Sequence, residues 1–302
     1  MQQTASRPAT LEEAAAYLTE ATATGRTVSI GDNLDPGGLD RILEHEAGDL
    51  TCTVEAGVRL SSLRDALAPA GQRLALDPPG DPTIGACIAA AHSGPLRHRY
   101  GTPRDLVLGV TLVLADGTIT SSGGKVVKNV AGYDLGKLMC GSRGSLALIG
   151  RVSLRLHPSP PASGTLVVES EDVAPIVRSL LDSQLQPSAL DILHPGRVAV
   201  LFEGSPGAVT TQLDSARSLV GGVLADDAVW EESRALQATA NGRLRFTPRE
   251  LPTILTATSA AVVRPAAGVA YVADPVSPTT SETEQAVVAA IKRLLDPAGV
   301  LR

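Results

Sequence analysis

The sequence predicts an α+β protein built in successive parts, on three observations. Hydrophobic residues make up 43% of the 302 positions and charged residues 19%, the balance of a folded globular chain and not of a disordered one. Helix and strand patterns alternate from Leu11 to Pro158 and the Pro160-Pro161 pair, which end a strand and mark a boundary. Beyond it the order becomes strand, helix, strand, strand, helix, the beginning of a ferredoxin-like arrangement. The expected divisions are residues 1–160, 161–280 and 281–302.

Taken in order, Thr10 with Glu13 forms a capping box ahead of Leu11–Ala23, whose Leu11, Ala14, Ala15 and Leu18 share one face, and Gly25 ends that helix. Thr27–Ile30 reads as a short strand running into a polar loop, Gly31–Gly38. Leu50–Glu55 alternates as a strand, and Ser61 or Ser62 caps a helix through Ala70 that Gly71 closes. Pro78, Pro79, Gly80 and Pro82 stiffen the next loop, and Thr83-Ile84-Gly85 opens a small-residue helix, Ala86–Ala91. Such a turn offers either unpaired N–H groups and a positive dipole end to a pyrophosphate, or close helix–sheet packing; the residues leave both open. Leu106–Leu114 returns through Asp116-Gly117 as Thr118–Ser122, a β-hairpin.

Gly123–Gly150 follows, carrying Lys125, Lys128 and Tyr133 before a turn at Gly141, Ser142 and Gly144 that enters the apolar run Leu146–Ile149. Glycines placed there let the backbone approach a ligand closely, because no Cβ intervenes. The strand continues to His157. In the second part Thr165–Glu169, Ala189–Leu193 and Val198–Glu203 read as strands, and Val173–Leu185, Ala208–Leu219 and Glu231–Ala240 as helices. Arg243–Phe246, Ala260–Val263 and Gly268–Val272 add strands, and Ser281 with Glu284 caps a final helix ending near Leu295.

Several function classes fall away. A net charge of −6 argues against a nucleic-acid footprint, and 2% aromatic residues provide no base-stacking platform. Cys52, Cys87 and Cys140 are far apart with no CxxC, which supports neither an iron–sulfur set nor a disulfide framework, so buried, reduced thiols are expected. His45, His92, His98, His157 and His194 form no metal-binding pattern, so no metal is expected. Gly-x-Ser-x-Gly and Walker patterns are absent, against a hydrolase or NTPase. No apolar run approaches a membrane span, and no secretory signal pattern opens the chain; a cytoplasmic location is expected, with membrane association only through partners.

Four blocks then converge: Thr53-Val54-Glu55-Ala56-Gly57; Thr83-Ile84-Gly85; Arg99-Tyr100-Gly101 with Asp105 to Gly109; and Gly124 to Leu135 with Gly141 to Gly144. Their order and spacing resemble FAD-linked oxidases of the vanillyl-alcohol oxidase type, and the run from Lys128 to Leu135 is most similar to glycolate oxidase FAD-binding subunits. The resemblance implies a PCMH-type FAD-binding domain of two α/β subdomains, then a shortened ferredoxin-like cap domain. It also implies a C-terminal element, beginning at Leu295, that returns to the FAD domain.

By the same resemblance, Gly31 and Asn33 would meet the pyrophosphate, and Pro79, Thr83, Ile84 and Gly85 would form a second phosphate-binding turn. Gly94, Tyr100 and Gly101 would lie along the flavin or its ribityl chain, and Gly144 and Ile149 would set backbone against the cofactor. One departure is plain: the family has adjacent glycines in the first loop, and this chain has Gly31-Asp32-Asn33. A carboxylate beside a diphosphate is electrostatically unfavourable.

The catalytic candidates are Lys125, Lys128 and Tyr133, which would stabilise a reduced, anionic flavin or a carboxylate; solvated lysines and a packing tyrosine are the alternative. His92 and His98 are placed as bases or as loop-closing hydrogen-bonders. The implied activity is that of an FAD-dependent oxidoreductase acting on CH–OH donors, part of a glycolate-oxidase-like complex with a sister FAD subunit and an iron–sulfur subunit. Flavin would accept hydride from the α-carbon of a small 2-hydroxy acid and pass electrons to the iron–sulfur partner. The alternative is a non-catalytic FAD-binding or assembly subunit supporting a catalytic sister.

Overall fold

The computed structural model describes residues 5–124, 134–258, 261–276 and 281–302. Helix α1 (Leu11–Thr24) buries Leu11, Ala14, Leu18 and Ala21. Thr10 Oγ1 accepts the Glu13 N–H at 3.1 Å, while the Glu13 carboxylate reaches back to the Ala9 N–H at 2.8 Å. Gly25 ends the helix at φ +65°, a left-handed conformation that glycine adopts without steric cost. Thr27–Ile30 joins no ladder: Val28 makes a single parallel bridge to Leu301, and Ile30 one to Leu34.

Strands β1 (Ile42–Glu46) and β2 (Thr51–Glu55) form a hairpin followed by α2 (Leu60–Leu67) and the two-residue β3 (Gln72–Arg73). Short helices α3 (Ile84–Ala89), α4 (Arg97–Tyr100) and α5 (Pro103–Leu106) lead into the hairpin of β4 (Val107–Val113) and β5 (Ile119–Gly123). Helix α6 (Leu135–Met139), β6 (Leu148–Arg155) and β7 (His157–Pro158) complete the first half. Its sheet runs β1-β2-β6-β4-β5 with every pair antiparallel, and β3 pairs with β7 alone. The residues of β1 alternate poorly and stay half-buried or exposed, as an edge strand does, which hides it from a pattern search.

The second half contains β8 (Ala162–Glu169), α7 (Ala174–Leu181), β9 (Ala189–His194), β10 (Arg197–Gly204), α8 (Pro206–Val220) and β11 (Val223–Ala225). Helices α9 (Ala228–Ala238) and α10 (Leu251–Ala257) and strands β12 (Gly242–Arg245), β13 (Ala261–Arg264) and β14 (Val269–Val272) follow, then α11 (Glu282–Leu295). One antiparallel sheet, ordered β11-β8-β10-β9-β13-β14-β12, contains all seven strands. Its first four strands have the ferredoxin-like order that the β-α-β-β-α pattern predicts. The extra three extend it past β9.

Aliphatic side chains fill both cores. Val54, Leu63, Ile88, Leu112, Met139 and Val152 pack one face of the first sheet against α2, α3 and α6. Leu166, Val177, Val200 and Phe202 do the same between the second sheet and α7 and α8. A third cluster packs α1 on Val113 and Leu148 and includes Val300 and Leu301. The tail is clipped there: Val28 N–H donates to Val300 O and Arg302 N–H to Val28 O, at 2.8 and 2.9 Å. Lys292 Nζ donates to Ser145 O at 2.7 Å and Leu301 O at 2.8 Å. Cys52 and Cys87 are buried, and burial pushes each thiol up to about 12. Cys140 is only half-buried, its Sγ 3.3 Å from Gly136 O, because the α6 end lies near the surface.

Candidate cofactor site

The loop after Val28, the start of α3 and the turn before β6 enclose a cavity of about 410 Å³. Gly31, Thr83, Gly85, Gly144 and Ile149 line it, together with Ala56, Ala86 and Ala90. Two glycines explain how its walls converge. A Cβ on Gly85 would stand 2.7 Å from Ala56 Cβ and 2.9 Å from Ala56 O, so only glycine lets α3 abut the end of β2. Gly144, at φ +80°, would press a Cβ to 3.0 Å from Ile30 Cβ. Gly31 has φ +94° and open space where its Cβ would be.

The other expected positions lie elsewhere. Ile84 is buried behind the wall. Asn33 turns away from the cavity: its Oδ1 accepts the Ser29 N–H at 2.8 Å and its Nδ2 donates to Thr27 O at 3.0 Å. Pro79 is half-buried in its loop, outside the cavity. Gly94 packs so tightly on Asp77 that a Cβ would fall 1.8 Å from Asp77 O. Gly101, at φ +83°, lies against the Asp105 carboxylate. Tyr100 donates its hydroxyl to Glu203 Oε2 at 3.1 Å, at the seam between the halves. Lys125, Lys128 and Tyr133 lie outside the described residues.

The N–H groups expected to face a phosphate are occupied. Gly31 N–H donates to Leu34 O, and those of Asp32 and Asn33 to Ser29 O, at 2.8 to 3.2 Å. Gly37 N–H goes to Asp35 Oδ1 at 2.8 Å. At α3, the Ile84 and Gly85 N–H groups donate to Val58 O and Ala56 O, and the Ala86 N–H to Thr83 Oγ1 at 3.2 Å. Of the two readings of this turn, close packing is what its N–H groups serve.

The charged and titratable side chains on the cavity are Asp35, His92 and Arg143. Asp35 also lies 3.6 Å from Arg7. Burial, then the charges of Arg243 and Arg143, hold the His92 imidazole below its ordinary value, which favours its neutral form. Arg143 escaped the pattern reading, although its place between Gly141 and Gly144 was the available signal.

A second polar group fills the seam. Arg73 donates to both oxygens of Glu203, at 2.8 and 2.6 Å. Burial pushes the Glu203 carboxyl up, but the hydrogen bonds and charge of Arg73 carry it below the usual range. Arg264 sets Nε 3.3 Å from both oxygens of Asp191, while its Nη1 and Nη2 are buried without an acceptor among the described residues. Gln237 Nε2 donates to Ser93 O at 2.9 Å. Burial pushes the nearby Asp77 carboxyl up to about 7, against the pull of Arg264, the Leu96 N–H and Arg234. His98 is held low by burial, with Asp191 opposing.

Small-residue walls with, among the described residues, one arginine suit a ligand that carries an anionic group. Comparison with known proteins points to FAD. The model of the FAD binding domain family matches residues 6–123. The chain is 34% identical to glycolate oxidase subunit GlcE of Escherichia coli (strain K12), over 70% of its own length and 61% of that protein. It is 33% identical to glycolate oxidase subunit GlcD of Bacillus subtilis (strain 168), over 54% of its length and 36% of that protein. For the mitochondrial D-lactate dehydrogenase [cytochrome] 1 of Saccharomyces cerevisiae (strain ATCC 204508 / S288c) the figures are 32%, 54% and 28%. The chain thus spans less than two thirds of each of these relatives. A solved structure of alkyldihydroxyacetonephosphate synthase superposes with a TM-score of 0.76 at 14% identity, covering 97% of this chain and 75% of that one, a likeness of fold.

Proposed function

We propose, from the match of residues 6–123 to the FAD binding domain family, that the chain is the FAD-binding subunit of a glycolate-oxidase-like 2-hydroxy-acid dehydrogenase complex. One observation carries the reading. Residues of three separate blocks of the sequence meet around one cavity, and the chain that contains them aligns with a glycolate oxidase subunit over 70% of its length. The cavity's residues fit FAD in the smallness of the walls and in Arg143 as a cation for the diphosphate, although the Gly31–Gly38 loop offers it few N–H groups.

When bound, FAD supplies an acceptor for the hydride that leaves the α-carbon of a 2-hydroxy acid. Gly85 and Gly144 keep the walls close, which would limit the room for water beside a bound cofactor. Neutral His92, on the cavity, takes the hydroxyl proton as the C–H bond breaks with its electron pair. Lys125, Lys128 and Tyr133 stabilise the negative charge that results or the substrate carboxylate. An iron–sulfur subunit would receive the electrons, with a sister FAD subunit in the same assembly; the word "subunit" in the names of the glycolate oxidase relatives supports such a complex.

The packed seam favours a second reading. Every described residue lining the cavity comes from the first 149 positions, and Arg73 with Glu203 and Gln237 with Ser93 occupy the contact with the second half. A chain so built holds FAD and supports assembly while its sister oxidises the substrate. An absorbance spectrum of the purified chain, followed by anaerobic glycolate and then D-lactate, separates the two. Flavin bands that bleach support catalysis here, bands that persist support the assembly role, and protein that takes up no FAD refutes both.

A further inference from the structure

We propose that Arg143 supplies the positive charge that meets the diphosphate of FAD in this chain, a role that rests on the FAD reading above. The Gly31–Gly38 loop leaves that task open. Its Gly31, Asp32 and Asn33 N–H groups close the loop's own turn, and the Gly37 N–H is held by Asp35. The carboxylate of Asp35 lies on the cavity as well, where it opposes an anion. Positive charge in the same space would offset that carboxylate, and Arg143 is the arginine that lines it among the described residues.

The backbone holds Arg143 in place. Its N–H donates to Ala89 O at 2.8 Å, and that of Gly141, two residues earlier, to Ile88 O at 3.0 Å, so the turn is clamped onto the end of α3. Arg143 adopts φ +53°, between Gly141 at +91° and Gly144 at +80°. A left-handed conformation is unfavourable for a residue with a Cβ, and one retained in a cavity wall points to a use for the side chain. No acidic side chain among the described residues forms an ion pair with its guanidinium. A planar, permanently charged fork with its donors uncommitted matches two oxygens of a phosphate.

The test measures FAD and riboflavin affinity by fluorescence titration on the parent chain, Arg143→Asn and Arg143→Lys, with thermal unfolding as a check on folding. Asn tolerates the left-handed backbone, so the turn is preserved. Losing one charge-assisted pair predicts about a 10- to 100-fold weaker FAD Kd for Arg143→Asn, a smaller loss for Arg143→Lys, and no change for riboflavin, which lacks the diphosphate. FAD affinity within about twofold of the parent in Arg143→Asn would overturn the role of Arg143 and leave the FAD reading standing. Equal losses for riboflavin and FAD would overturn the assignment to the diphosphate. A parent chain that binds no FAD would overturn the FAD reading itself.

Discussion

Replacing Glu203 by Gln asks how far the two halves depend on one buried ion pair. Both Nη atoms of Arg73 reach the carboxylate, and the Tyr100 hydroxyl adds a third bond. The side chains keep only 18% and 6% exposure, so water cannot replace a lost partner fully. Removing one member of a buried pair costs about 3–5 kcal/mol, chiefly because the other charge stays buried. Gln retains one acceptor oxygen and Arg73 is partly hydrated, which brings the expected loss to about 2–3 kcal/mol. For a chain of this size that lowers Tm by roughly 5–10 °C. Denaturant unfolding followed by circular dichroism, with differential scanning calorimetry beside it, reads both quantities. A Glu203→Leu and Arg73→Met double variant should recover most of the loss, since an apolar pair of similar size leaves no orphaned charge. If Glu203→Gln and Arg73→Met each stay within about 0.5 kcal/mol of the parent, a margin ordinary for surface changes, the seam does not hold the halves together as argued.

Three further outcomes follow from single sites. Gly85→Ala forces a Cβ against Ala56 Cβ and O, an overpacking expected to cost about 1–3 kcal/mol in thermal unfolding and to weaken FAD binding; adding Ala56→Gly should recover part of both. Asp77→Asn tests the buried carboxyl, whose folded value of about 7 lies above its usual 3.8. Protonated in both states at low pH, Asp77 loses its contribution as pH rises from about 4 through 7, so the Asn variant should gain on the parent by on the order of 2–4 kcal/mol across that window, and parallel stability curves would refute the shift. Lys292→Met removes three hydrogen bonds, to Ser145 O, Leu301 O and Asp296 Oδ2, and should cost about 1–2 kcal/mol with faster amide exchange at Val28 and Arg302; unchanged exchange would show that the clip does not depend on it.

Local features were legible in the sequence, and long-range ones were not. Thr10, Gly25, the Asp116-Gly117 turn and Ser281 act on neighbours a few residues away, so residue type alone announced their helix caps and hairpin. The ferredoxin-like order was legible because β8, β9 and β10 each carry their own apolar run. Strand β1 was not, since as an exposed edge it needs no apolar alternation. The small-residue walls at Gly85 and Gly144 were visible as glycines, but what occupies the N–H groups of their neighbours was not. That depended on Ala56 O and Val58 O, placed by another part of the chain. The hydrogen bond of Tyr100 was not legible, since its partner Glu203 lies more than a hundred positions away. Arg143 stood in the sequence between Gly141 and Gly144, but only the closed loop beside it makes its charge informative.

Because Val28 pairs with Leu301, the cavity's first wall is tied to a segment more than two hundred and seventy positions further along (301 − 28). Val28 runs into Gly31, one wall, and Lys292 holds Ser145, next to Gly144 in another. Contacts so distant in sequence form late, since the entropy of closing the intervening loop comes before their reward. Both cores can pack before this contact forms, so the chain would be largely folded yet unready for its cofactor. Flavin capture then reports the last step of folding, and its rate after dilution from denaturant should lag the recovery of secondary structure.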